Sequence, residues 1–121
     1  MKQSPIISID LSSKFRIRIH KVTLNLLGDP EYIQIMINPS TNVLAIARSH
    51  PEDPLALKIR KSSTDGRGYF EIYSKSLMQG LQRLNIHWEE NQSYRFYGEM
   101  ASGNRLAQFR MTCAKENEDY A

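Results

Sequence analysis

The chain nearly repeats itself, and this restricts the folds open to it more than any other feature of its 121 residues. The first half runs Phe15-Arg16-Ile17-Arg18-Ile19-His20, a leucine-rich turn, Tyr32-Ile33-Gln34-Ile35-Met36-Ile37, and then Val43-Leu44-Ala45-Ile46-Ala47-Arg48. The second half runs Tyr69-Phe70-Glu71-Ile72-Tyr73, a longer leucine-rich stretch, Tyr94-Arg95-Phe96-Tyr97, and then Leu106-Ala107-Gln108-Phe109-Arg110. Shifted by fifty-three residues, Ile17 meets Phe70, Ile19 meets Ile72 and Leu24 meets Leu77. Shifted by sixty-two, Tyr32 meets Tyr94, Leu44 meets Leu106 and Arg48 meets Arg110. A longer loop in the second half, Asn85 to Ser93, absorbs the difference, and loops tolerate insertion because closure entropy grows slowly with length.

The local patterns define each unit. Phe15, Ile17 and Ile19 alternate with Lys14, Arg16, Arg18 and His20, the period of a half-buried strand. Lys21 to Leu27 is short and apolar and stops at Gly28, a helix with a glycine at its C-terminus. Residues 31–37 and 43–48 form a hairpin around the turn cluster Asn38 to Asn42. In the second unit Ser74 or Ser76 caps a helix whose Leu77, Leu81 and Leu84 share one side. Residues 94–100 and 105–112 make the last hairpin, and Ile86 and Trp88 tuck the preceding loop onto the core. Ahead of the repeat, Ile7, Ile9 and Leu11 alternate with Ser8, Asp10 and Ser12, the pattern of a short edge strand.

The expected fold is therefore α+β and β-rich: two pseudo-repeated βαββ units in one antiparallel domain, barrel-like or a sheet with helices. One domain spans residues 1–121, with the first unit at 14–49, a connector at 50–68, the second unit at 69–113 and an acidic tail at 114–121. A chain of this length buries a core without disulfides or metal. With no apolar run near twenty residues, no membrane is expected as partner. A single cysteine, Cys113, excludes an internal disulfide and fits a reducing, cytoplasmic setting.

The chemistry legible in the sequence is cationic. The net charge of +3 is uneven: residues 1–61 carry nine Lys/Arg against five Asp/Glu, and the remainder seven against eight. Lys14, Arg16, Arg18 and Lys21 line one strand face and the start of a helix, while Lys58, Arg60 and Lys61 form a second group in the connector. Cations on a strand neutralise phosphate or enter a groove, although a polar strand face also serves as plain solvated surface or as edge protection. The strand tyrosines admit stacking on single-stranded bases, but half-buried sheet positions are the usual reason for them and the preferred reading. His20, His50 and His87 lack ligand spacing, and no nucleophile elbow or phosphate loop is present. A non-enzymatic protein with no cofactor and no metal is expected.

With the unit defined, its order resembles the AbrB/SpoVT-like swapped-hairpin family. The strand ending Ile19-His20-Lys21, the short helix to Leu27-Gly28, the strand Tyr32–Ile37, a turn and the strand Val43–Arg48 follow that plan, and two units in one chain are similar to the tandem, MraZ-like arrangement. The resemblance implies an interleaved barrel, double-stranded DNA as partner, transcription regulation and a homodimer. Carried over by position it implicates Lys14, Arg16, Arg18 and Lys21 in DNA contact. A protein-interaction or scaffold module without nucleic-acid binding is the alternative, and an enzyme whose site is assembled from distant residues is a third.

Overall fold

The computed structural model describes residues 3–11, 16–59, 68–84, 86–89, 91–111 and 115–116. In chain order the elements are β1 (Ile6–Asp10), β2 (Arg16–His20), α1 (Lys21–Leu26), β3 (Tyr32–Asn38), β4 (Val43–Arg48), β5 (Leu57–Lys58), β6 (Tyr69–Ile72), α2 (Lys75–Gln82), β7 (Ser93–Tyr97), β8 (Glu99–Ala101), β9 (Leu106–Arg110) and β10 (Lys115–Glu116). The protein is α+β and strand-rich. All pairings are antiparallel, in two five-stranded sheets ordered β10-β7-β1-β2-β6 and β5-β3-β4-β9-β8.

The barrel-like alternative is corrected by this topology: the described strands form two open sheets and no closed barrel. One core lies between them. Ile7, Ile9, Ile17, Ile19 and Phe96 come from the first sheet and Ile33, Leu44, Ile46, Ala107 and Phe109 from the second, the positions that period-two alternation turns inward. Both helices send their apolar sides into the same core through Leu24 and Leu27 in or beside α1 and Leu81 and Leu84 in or beside α2. No helix among the described residues is long and apolar enough to cross a membrane.

α1 stops where the sequence places its end. The amide N–H groups of Gly28 and Asp29 donate to the carbonyls of Asn25 and Leu24 at 3.0 and 2.8 Å, with Gly28 at φ 85°, a left-handed conformation that costs glycine little. Thr23, on the same helix and fully buried, acts as an extra rung of β1: its Oγ1 accepts from the Ile6 N–H at 2.7 Å and donates to the Ile6 carbonyl at 2.8 Å. α2 is capped by Ser74, whose Oγ accepts from the Leu77 N–H. Trp88 is a core-packing residue: its indole N–H donates to the Leu81 carbonyl at 3.1 Å, and its ring meets Tyr94 edge-on at 5.2 Å.

Two expectations change. β1 is a central strand between β7 and β2 instead of an edge, because its alternation supplies Ile7 and Ile9 to the core while leaving both backbone edges for pairing. The last hairpin is not one continuous pair. β7 belongs to the first sheet, the Gly98 N–H makes a final rung to the Pro5 carbonyl at 2.9 Å, and from Glu99 onward the chain pairs with β9 in the second sheet. Gly98 permits that crossing because a Cβ there would sit against the Gln108 carbonyl oxygen and 2.6 Å from the Phe109 ring.

Candidate nucleic-acid interface

The outward side chains of the first sheet form an ordered array. Directly opposed residues share a face, so Arg95, Ser8, Arg18 and Glu71 make one row across β7, β1, β2 and β6. Tyr97, Ile6, His20 and Tyr69 make the row on one side of it, and Ser93, Asp10 and Arg16 the row on the other. With both helices turned inward, no helix among the described residues lies over this face.

Of the cations singled out by sequence, Arg16 and Arg18 lie here together. Lys21 is exposed at the first position of α1, its backbone N–H donating to the Gly68 carbonyl at 2.9 Å. Lys58 is exposed on the second sheet, opposite Tyr32, on an edge strand, so it does not join Arg16 and Arg18. Lys14, Arg60 and Lys61 lie outside the described residues, as does Cys113.

The basic face is not a bare one. Arg18 Nη2 meets Asp10 Oδ2 at 3.0 Å, and Arg18 Nε donates to Glu71 Oε2 at 2.8 Å. Arg16 Nη1 approaches Glu71 Oε1 at 3.7 Å, and the Arg18 guanidinium stands 4.9 Å over the Tyr69 ring. Burial alone would lower the affinity of Arg18 for its proton. The hydrogen bond to Glu71 and the neighbouring Tyr69, Asp10 and Glu71 outweigh it and hold the guanidinium above its ordinary pKa. Asp10 is only 6% exposed, so its 3.0 Å contact with Arg18 is largely shielded from water. On β7, β1, β2 and β6 the three arginines face two carboxylates, Asp10 and Glu71, and Lys115 of β10 is in register with Arg95.

Sequence reasoning passed over Arg95, Asp10 and Glu71. Each sits in the polar phase of a strand whose alternation is visible, as Arg95 is between Tyr94 and Phe96, but nothing local says which strands lie side by side. His20, noted only in passing, is fixed by a 2.8 Å contact between its Nε2 and Ser8 Oγ. Burial first, then the charges of Arg95 and Arg18, push its pKa below the ordinary histidine value. The fold thus favours the neutral ring. Its stabilising contribution is complete above the unfolded-state pKa near 6.5 and is lost as the pH falls from there toward the folded value. Thermal melts between about pH 7.5 and about pH 5 are expected to show a larger loss of Tm for the wild type than for His20→Gln; equal losses would remove His20 from the acid response.

Two shallow clefts of about 540 and 400 Å3 flank the crossing at Gly98 and share Glu99 in their walls. Among the described residues, no three His, Cys, Asp or Glu side chains are grouped to hold a metal ion. No family model matches the chain, and neither a curated protein nor a solved structure matches it.

Proposed function

We propose that this chain is a non-enzymatic DNA-binding protein of regulator type, and that the outer face of the first sheet meets the nucleic acid. The observation that carries the reading is the placement of Arg16 and Arg18 on β2 and Arg95 on β7, the two strands that flank β1, on one face over which no described helix lies. Carboxylates orient the Arg16 and Arg18 guanidiniums, which prepares them for phosphate oxygens at the cost of field strength. Kinship with AbrB-like proteins is part of this proposal. In its favour, the strands matched by the internal repeat pair with each other, β2 with β6 and β4 with β9, as a duplicated unit folding about a pseudo-two-fold would arrange them. The counterpart of β3 departs from that symmetry, since β7 pairs with β1.

Fluorescence anisotropy of labelled DNA, single- and double-stranded, tests the reading at about 50 and 200 mM salt, where phosphate-driven binding changes steeply. Binding is expected at the lower salt and to collapse at the higher, with a log–log slope near −2 to −3 for three neutralised phosphates. Arg95→Gln is expected to reduce that slope by about 1. Failure of both DNA forms to bind at the lower salt overturns the proposal. It would favour the second reading, a protein-interaction module, which rests on the outer face of the second sheet. There Met36 is 38% exposed beside Ala45, in a face that also holds Val43, Ala47 and Leu106.

A further inference from the structure

The strand pair β1–β7 comes apart at Gly98. Its register sets Ile6 opposite Tyr97, and the Gly98 N–H donates to the Pro5 carbonyl at 2.9 Å as the last rung. Continued, the same register would set Ser4 opposite Glu99 and Gln3 opposite Met100. The pairing stops instead, because from Glu99 onward the chain pairs with β9 in the other sheet. The two segments diverge, and the wedge between them is the cleft of about 540 Å3, whose walls include Gln3, Ser4 and Pro5 together with Glu99 and Met100.

This wedge runs along an open strand edge. β8 is the last strand of its sheet and pairs with β9 alone among the described strands. No residue of β9 lines the cleft, which places it on the side of β8 that β9 leaves open. An edge strand presents a row of N–H and C=O groups to any extended chain laid beside it. The side-chain phases are fixed as well. Glu99, opposite the exposed Gln108, points out of the sheet, and Met100, opposite the fully buried Ala107, points to the core side. Leu26 and Pro5 add to the apolar part of the same wall. Glu99 is exposed, forms no ion pair among the described residues, and is the one charged residue in the described wall. A strand added beside β8 would repeat its alternation, so this edge suits a cation next to Glu99 and an apolar side chain next to Met100. A short strand and a charge also serve to protect an edge. β5, at the other edge of the sheet, is short and carries the exposed Lys58, yet neither cleft borders it.

We propose that the wedge binds an extended peptide segment of a partner protein by strand addition to β8, with a lysine or arginine opposite Glu99 and an apolar side chain opposite Met100. Main-chain hydrogen bonds supply affinity in this mode and the alternating side chains supply selectivity. The three residues of β8 offer about 10 Å of edge, and the cleft beside them has the size of a specific binding site. The inference does not depend on whether the first sheet binds nucleic acid.

The test uses the full chain and fluorescein-labelled hexapeptides, titrated by anisotropy at about 50 mM salt. One peptide alternates lysine with leucine and a second alternates glutamate with leucine. Two further copies of the first carry N-methyl groups, on the lysines in one and on the leucines in the other. The lysine–leucine peptide is expected to bind saturably, and the glutamate–leucine peptide at least about tenfold more weakly. An edge bonds only every second N–H of an added strand, so one N-methylated copy is expected to lose binding and the other to keep it. Glu99→Gln is expected to weaken binding of the lysine–leucine peptide about threefold, and Glu99→Lys about tenfold or more. Circular dichroism verifies that each variant is folded. Absence of saturable binding by the lysine–leucine peptide up to about 1 mM overturns the inference. Equal binding of the glutamate–leucine peptide, the same response of both N-methylated copies, or wild-type affinity in folded Glu99→Lys overturns it as well. Each of these outcomes leaves the DNA-binding reading standing.

Discussion

Gly98→Ala is expected to lower the unfolding free energy by about 3 kcal/mol, at or beyond the upper end of ordinary overpacking, measured by urea denaturation. The added methyl group would meet a backbone carbonyl, that of Gln108, and the fully buried Phe109 ring. Neither yields easily: the carbonyl belongs to β9, which is paired on both sides with β4 and β8, and the ring is wedged in the core. Gly80→Ala supplies the contrast. Its methyl would come 2.9 Å from Ile37 Cδ1, the far end of a flexible side chain. Alanine also regains about 0.5–1 kcal/mol inside a helix, so a net change within about 1 kcal/mol is expected. Similar losses at the two positions would refute the account of Gly98 as the point where one strand changes sheets.

Arg18→Leu is expected to cost about 2–3 kcal/mol, somewhat below the 3–5 typical of breaking a fully buried pair, because about a quarter of the Arg18 side chain remains exposed. The loss arises from what is left behind. Asp10 keeps a carboxylate at 6% exposure without its 3.0 Å partner, and Glu71 loses a 2.8 Å bond. Asp10→Asn in the Arg18→Leu background should recover part of the loss, since it removes a buried charge that has lost its 3.0 Å contact, and a double-mutant cycle on urea unfolding reads the coupling. Strict additivity of the two substitutions would show that Arg18 and Asp10 do not act as a pair. The same coupling makes Arg18 a poor reporter of nucleic-acid contact, because its loss disturbs the sheet as well as the surface. Arg95 is the better reporter.

Most of the local structure was legible in the chain. The alternation in 16–20 appears as β2, the apolar stretch ending at Gly28 as α1, and the run 43–48 as β4 with the same bounds. Each pattern is carried by residues within a few positions of one another, and burial of one face against any core suffices to select it. The cationic site was half legible. Arg16 and Arg18 do share an outward face, but Lys58, grouped with them by charge, lies on the other sheet. The two carboxylates that neutralise them come from β1 and β6, strands that precede and follow β2 without any local mark of adjacency.

The sequence by itself determined the strand and helix periodicities, the outward phase of Arg16 and Arg18, the glycine stop of α1 and the inward role of Trp88, because hydrophobic spacing and turn chemistry act over a single element. Only the tertiary structure decided that β1 would be central, that Gly98 would carry one strand from sheet to sheet, and that Asp10, Glu71, Arg95, Tyr69 and Tyr97 would surround the predicted arginines. Those outcomes depend on which distant strands pair. Pairing is chosen by how all the apolar faces close over one core, a global condition that no single segment encodes.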